Sequence, residues 1–131
     1  MGLKNFIFML EKSFISINIT FLLIKFINYI SLKNNFIFIY INFIDLKNVI
    51  NFFFNSTFFN MKLLLDIIVV DYPGQQKRFK IIYNLCSYYY NLRFFIVFPL
   101  KDLQKITTLT YIFGSANWAE REAWDMFGIK F

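Results

Sequence analysis

"RFKIIYNLCSYYYNLRFFIVF", residues 78–98, decides the fold. Phe79, Ile81, Tyr83 and Leu85 recur at every second position, the spacing of a half-buried strand. Asn91 then marks a tight turn, and "LRFFIVF", residues 92–98, is a second run of β formers that Pro99 is expected to end. Two such runs with a short connection predict an antiparallel hairpin. Just upstream, Pro73-Gly74 in "YPGQQ" is a strong turn signal. It separates the hairpin from "LLLDIIVVD", residues 63–71, which reads as another strand.

Further upstream, "FIFIYINFI", residues 36–44, is a short run rich in β formers and predicts a strand. Asp45 is placed to cap a following helix whose Leu46, Val49, Ile50, Phe53 and Phe54 form one apolar face. Near the N-terminus, Leu3, Phe6, Ile7, Leu10 and Phe14 repeat at helical spacing, with Lys4, Glu11 and Lys12 opposite. Ile15, Ile17, Ile19 and Phe21 then alternate with polar residues, which predicts a strand. Residues 101–113 are expected to form a short helix or an irregular segment. The order of elements does not alternate regularly, so the expected class is α+β. The expected architecture is a mixed, largely antiparallel sheet of about five strands, with helices packed on one face and the other face left for water or a partner. Residues 1–131 show no repeat and no linker, and are expected to form a single domain.

The composition is 58% apolar and 23% aromatic, well above ordinary soluble usage. Phe, Ile, Asn, Lys and Tyr make up more than half of the chain, while there are only 4 Gly and 2 Pro. AT-rich codons favour the first group and GC-rich codons the second. Mutational bias therefore explains the aromatic excess better than a membrane does. Phe14 to Ile30 is the best candidate for a span, but it carries Lys25 together with Asn18, Thr20 and Asn28. A Lys at mid-bilayer costs about 3 kcal/mol on insertion scales, and the stretch opens on a strand-like alternation. A lipid-embedded N-terminal half, in a small membrane-associated structural protein, is the alternative reading. The net charge of +6 is spread along the chain, which argues against nucleic-acid binding. With one cysteine, Cys86, and no histidine, intrinsic zinc or iron–sulfur sites and histidine-based catalysis are excluded. Cys86 is expected to be a buried, inert thiol. The opening residues show neither a myristoylation pattern nor a cleavable signal.

The chemistry-rich stretch is "ANWAEREAWDMFGIKF", residues 116–131. Asn117 is placed to cap a helix, with Glu120 completing a capping-box-like pair, and Gly128 stands where the helix should stop. Ala116, Ala119, Ala123 and Phe127 fall on one side of that helix. Trp118, Arg121, Glu122 and Asp125 fall on another, where Arg121 and Asp125 have the spacing of an ion pair. The three carboxylates do not converge and no nucleophile–base pair joins them, so no catalytic, cofactor-binding or metal residue is expected. Trp and Arg dominate interface energetics. Asn117, Trp118, Glu120, Arg121, Glu122, Trp124, Asp125, Phe127 and Gly128 are therefore expected to form an interface and folding motif.

This stretch resembles the signature of NADH dehydrogenase subunit 9, the thirty-kilodalton subunit family of respiratory complex I. "VDYP" at Val70–Pro73, "QKRF" at Gln76–Phe79 and "IIYNLCS" at Ile81–Ser87 are similar to that family in order and spacing. The resemblance covers about residues 66–131. It implies a hydrophilic, non-redox peripheral-arm subunit that scaffolds the quinone-reducing module of the proton-translocating NADH:ubiquinone oxidoreductase. The implied partners are the large quinone-site subunit and neighbouring iron–sulfur subunits. NADH, FMN, the iron–sulfur clusters and ubiquinone would belong to those other subunits, with no cofactor bound by this chain. The implied location is the matrix side of the mitochondrial inner membrane, and the codon-biased composition fits a mitochondrial gene. The family continues beyond the "DMFGI" motif with a long tail. Here the tail's role is expected to fall to neighbours or to a second polypeptide.

Overall fold

The computed structural model describes residues 26–33 and 36–131. The hairpin at its centre follows the period-two pattern. Strand β4 (Phe79–Ser87) and strand β5 (Leu92–Leu100) pair antiparallel, from Phe79 beside Leu100 to Ser87 beside Leu92. Asn91 closes the turn with φ 51°, a left-handed conformation that Asn tolerates better than most residues. Phe79, Ile81, Tyr83 and Leu85 are buried, as the alternation requires. Cys86 lies on the other face and is half-buried, not buried as expected, because the same alternation points it away from the core. Pro99 does not end β5. Pairing between β5 and its other neighbour stops at Val97, so Pro99 sits where the strand is locally an edge and no ladder bond is lost.

Strand β3 (Leu63–Asp71) pairs antiparallel with β4, with an irregularity between Leu64 and Asp66. Strands β1 (Ile27–Lys33) and β2 (Phe36–Ile41) form a second antiparallel pair. The two halves meet where β2 runs parallel to β5, with Ile37 beside Phe94 and Tyr40 beside Val97. The sheet order is β1-β2-β5-β4-β3, so three of its four contacts are antiparallel. This is the expected mixed, largely antiparallel α+β architecture.

Two boundaries differ from expectation. The sequence pattern did not mark β1, because a register shift between Ile27 and Tyr29 interrupts its alternation. The expected strand 36–44 ends at Ile41. A 3-10 turn (Phe43–Asp45) follows it and leads into helix α1 (Leu46–Asn55). Asp45 occupies the N-cap position but makes no side-chain cap bond, since the chain enters α1 already coiled, with Asp45 at φ −87° and ψ −2°. The expected helix over residues 3–14 and the strand over residues 15–21 lie outside the described residues. The last four residues of the candidate membrane span, 27–30, belong to β1. Among the described residues, no helix is long and apolar enough to cross a membrane.

The core lies on one face of the sheet. Leu46, Val49, Ile50 and Phe53 of α1 pack over Ile37, Ile39, Phe94 and Ile96 of the central strands. The ring of Phe53 meets Phe94 at 5.2 Å and Phe59 at 5.3 Å, both edge-on, and Phe59 meets Phe94 at 5.6 Å. Residues 101–115 form no regular element but bury Ile106, Leu109 and Phe113 against the same core. Helix α2 (Ala116–Phe127) completes this layer, with Phe127 edge-on to Phe79. Both described helices therefore share one face of the sheet.

Candidate subunit interface

Helix α2 starts without a side-chain cap. The amide of Ala116 already donates to the carbonyl of Phe113, and that of Asn117 to Gly114. The preceding turn satisfies donors that a cap would otherwise serve. Asn117 is therefore not the N-cap; it lies inside the first turn and is exposed. Ser115 fixes the start of the helix differently, by donating its hydroxyl to the carbonyl of Leu64 in β3 at 3.0 Å. At the other end Gly128 adopts φ 70°, and its amide donates to Trp124 at 2.8 Å. A residue with a Cβ is strained in that conformation, which is why Gly stands there.

Glu120 is not part of a capping box. It is 6% exposed and turns toward the irregular segment. One carboxylate oxygen accepts the amide of Leu109 at 2.7 Å, and the other accepts the Thr108 hydroxyl at 2.6 Å. A buried carboxylate is stable only when hydrogen-bonded, and these two bonds pin residues 108–109 to the helix. The Tyr83 hydroxyl is fully buried near this carboxylate and has no hydrogen-bond partner among the described residues. Burial first, and then the negative charge of Glu120, push the phenol's pKa up, so it stays neutral.

Ala116, Ala123 and Glu120 form the buried side of α2, with Ala119 and Phe127 half-buried beside them. The outer side carries Trp118 (77% exposed), Trp124 (60%) and Met126 (68%). Arg121, Glu122 and Asp125 are exposed between them. The two tryptophans lie roughly 120° apart around the helix axis, so the apolar surface flanks the charges on a broad arc. Arg121 and Asp125 do not pair: among the described residues both ion pairs centre on Arg78. The helix thus presents two indoles and a thioether around charges that no ion pair among the described residues engages.

Arg78 was not singled out in the sequence, although opposite charges flanking a Pro-Gly turn are a readable signal. It grips Asp71 with two bonds, Nε to Oδ1 and Nη2 to Oδ2, each 2.7 Å. It also reaches Asp102 at 3.8 Å. The grip closes the β3–β4 turn and ties it to the residues after β5. The bond from Arg78 is the largest influence on Asp71; burial opposes it, the Arg78 charge adds to it, and the net effect holds the carboxyl below its ordinary 3.8. A carboxyl depressed in the folded state stabilises the fold above its unfolded pKa and loses that contribution as pH falls through the folded one. The stability gap between wild type and Asp71→Asn is therefore expected at neutral pH and should close in strong acid. Thermal unfolding measured across that range checks this; a gap that is constant with pH would contradict it.

Among the described residues, no group of three or more His, Cys, Asp or Glu could hold a metal ion. Compared with known proteins, residues 39–131 match the family described as "Respiratory-chain NADH dehydrogenase, 30 Kd subunit". The chain is similar to NADH dehydrogenase (ubiquinone) iron-sulfur protein 3 of Oryza sativa subsp. japonica, 41% identical over 75 residues, covering 57% of this chain and 40% of that protein. It is similar to an NADH-quinone oxidoreductase subunit of Rhodospirillum rubrum, 37% identical over 86 residues, covering 66% of this chain and 40% of that protein. The matched stretch thus spans about two fifths of the length of these curated relatives. The fold is shared with a chain in the structure of the membrane-bound sulfane sulfur reductase, an archaeal respiratory membrane complex. The TM-score is 0.70 at 18% identity, covering 79% of this chain and 61% of that one. Because the family match runs unbroken from β2 through the motif helix and takes in most of the sequence, the chain belongs to the 30 Kd subunit family of respiratory-chain NADH dehydrogenase.

Proposed function

We propose that the chain is a non-redox subunit of respiratory complex I, the proton-translocating NADH:ubiquinone oxidoreductase. In this reading it sits in the peripheral arm, on the matrix side of the mitochondrial inner membrane, and scaffolds the quinone-reducing module beside the large quinone-site subunit. It acts as one domain whose outer α2 surface is the contact with a neighbouring subunit. The carrying observation is that α2, anchored from within by Glu120, Ala116 and Ala123, turns Trp118, Trp124 and Met126 outward. Covering a large apolar side chain at an interface is worth about 1.5–3 kcal/mol. Asn117, Arg121, Glu122 and Asp125 would supply polar contacts on the same surface.

The name of the rice relative mentions iron–sulfur. The donors in this chain do not fit such a cluster, which typically takes four thiolates where this chain has Cys86 alone. Its part in electron transfer is therefore to hold neighbouring subunits in place, while NADH, flavin, clusters and quinone are bound elsewhere in the complex. A tagged chain should co-purify with flavin and iron–sulfur subunits in an assembly that oxidises NADH. Recovery of the chain alone under conditions that preserve the assembly would sink the reading. Within that assembly, Trp118→Ala and Arg121→Ala should weaken incorporation by about 30-fold, the factor for a 2 kcal/mol hot spot. Turnover per assembled complex should be unchanged. Normal incorporation with collapsed turnover would instead assign these residues a direct catalytic role.

A further inference from the structure

The face of the sheet opposite the helices is organised by register. Tyr29 stands beside Tyr40, Tyr40 beside Val97, and Val97 beside Ile82. The next row toward the β3–β4 turn places Pro99 beside Lys80. The rings of Tyr29 and Tyr40 stack at 4.0 Å, and the Lys80 ammonium lies 5.6 Å from the Tyr40 ring centroid. The turn contributes Tyr72, Gln75 and Lys77 as the opposite wall. Tyr29, Tyr40, Val97, Lys80 and Pro99 with these turn residues border an open cleft of about 420 Å³.

The charge of this cleft is one-sided. Lys77 and Lys80 line it, and among the described residues no carboxylate does. The nearest acid in sequence, Asp71, is held by both bonds from Arg78, and Asp102 also faces Arg78. Neither lysine belongs to the ion pairs among the described residues. A concave surface with two ammonium groups that no described carboxylate pairs focuses positive potential, which draws an anionic partner. The cleft also reaches β1, an edge strand of the sheet among the described residues. An edge strand's free amides and carbonyls can pair with an extended peptide, but have nothing to offer an acyl chain.

We propose that this cleft receives an acidic segment of another polypeptide. A carboxylate of that segment is held by Lys77 and Lys80, and a flat or apolar side chain lies against the exposed ring of Tyr29. This surface is on the other side of the sheet from α2, so it is a second contact, separate from the one described above.

The test uses the full chain in its native assembly. A carbodiimide activates a carboxylate, and a lysine in direct contact attacks it as the free amine, forming an amide and releasing the urea. Peptide mass spectrometry should then find Lys77 or Lys80 joined to an Asp or Glu of a different chain. Without coupling, both lysines should react with acetic anhydride about tenfold more slowly than the exposed Lys101 and Lys105 of the same chain. Lys77→Glu with Lys80→Glu should release the coupled partner in a salt wash that the Lys77→Arg, Lys80→Arg chain withstands. Acetylation as fast as at Lys101 and Lys105 would overturn the proposal. So would protection without interchain coupling, the outcome expected of an anionic lipid, whose removal by detergent would abolish the protection. The assay reads whichever chain couples, so its failure is distinguishable from failure of the complex I assignment.

Discussion

Replacing Phe53 with alanine is expected to destabilise the chain by about 3–5 kcal/mol, the range for truncating a large buried aromatic. Phe53 is buried and lies at the meeting point of three segments. It belongs to α1, meets Phe94 of the central strand β5, and meets Phe59 of the segment leading to β3. Removing the ring forfeits its transfer free energy. It also leaves a hole among edge-on rings, which cannot close it without losing their own geometry. Phe53→Leu keeps most of the volume and should cost less than half as much. Urea unfolding should show a lower midpoint with an unchanged slope. A loss under about 1 kcal/mol would mean that the site collapses freely and that the ring cluster is not the centre of the core.

Glu120→Ala is the second large effect, expected at about 2–4 kcal/mol. The cost is not the loss of charge itself. The Leu109 amide and the Thr108 hydroxyl both donate to this carboxylate, and alanine leaves the amide buried with no acceptor. Glu120→Gln keeps a carbonyl for Leu109, while the Thr108 hydroxyl can rotate to accept from the new amide group. It should therefore lose only about 1 kcal/mol, the difference between charged and neutral bonds. Tyr83→Phe is the control. The Tyr83 hydroxyl is buried nearby without a partner among the described residues, so its removal should be neutral or slightly stabilising. Protection of the Leu109 amide against hydrogen exchange should fall in Glu120→Ala and persist in Tyr83→Phe. Unchanged protection in both would remove Glu120 from its anchoring role.

The hairpin, α1 and the end of α2 were legible because each rests on a local rule. Alternation at Phe79–Leu85, helical spacing at Leu46–Phe53 and the left-handed stop at Gly128 involve neighbours in sequence. Strand β1 was not legible, because its irregularity between Ile27 and Tyr29 breaks the alternation that would reveal it. The inner and outer sides of α2 were foreseen from its alanines, but the task of Glu120 was not. Its partners lie in an irregular segment, and no spacing rule connects a helix to a loop. Arg121 and Asp125 had the spacing of a pair without forming one; exposed partners gain little over water. Asp71 and Arg78 form a two-bond pair across the turn, where the chain holds them facing one another.

The parallel seam between β2 and β5 sets the order in which this chain is completed during synthesis. Ile37 must wait for Phe94, more than fifty residues later in the chain. Until β5 has left the ribosome, the β1–β2 hairpin has one backbone edge without its partner. The β3–β4 pair cannot supply that partner, because β5 separates β4 from β2 in the sheet. Closing so long a loop costs entropy before any contact repays it, which slows the step. The nascent chain therefore passes through an interval in which a β-rich, aromatic edge is open to neighbours. Crowded translation is its most hazardous moment, and arrest anywhere before Leu92 would leave a fragment prone to aggregate.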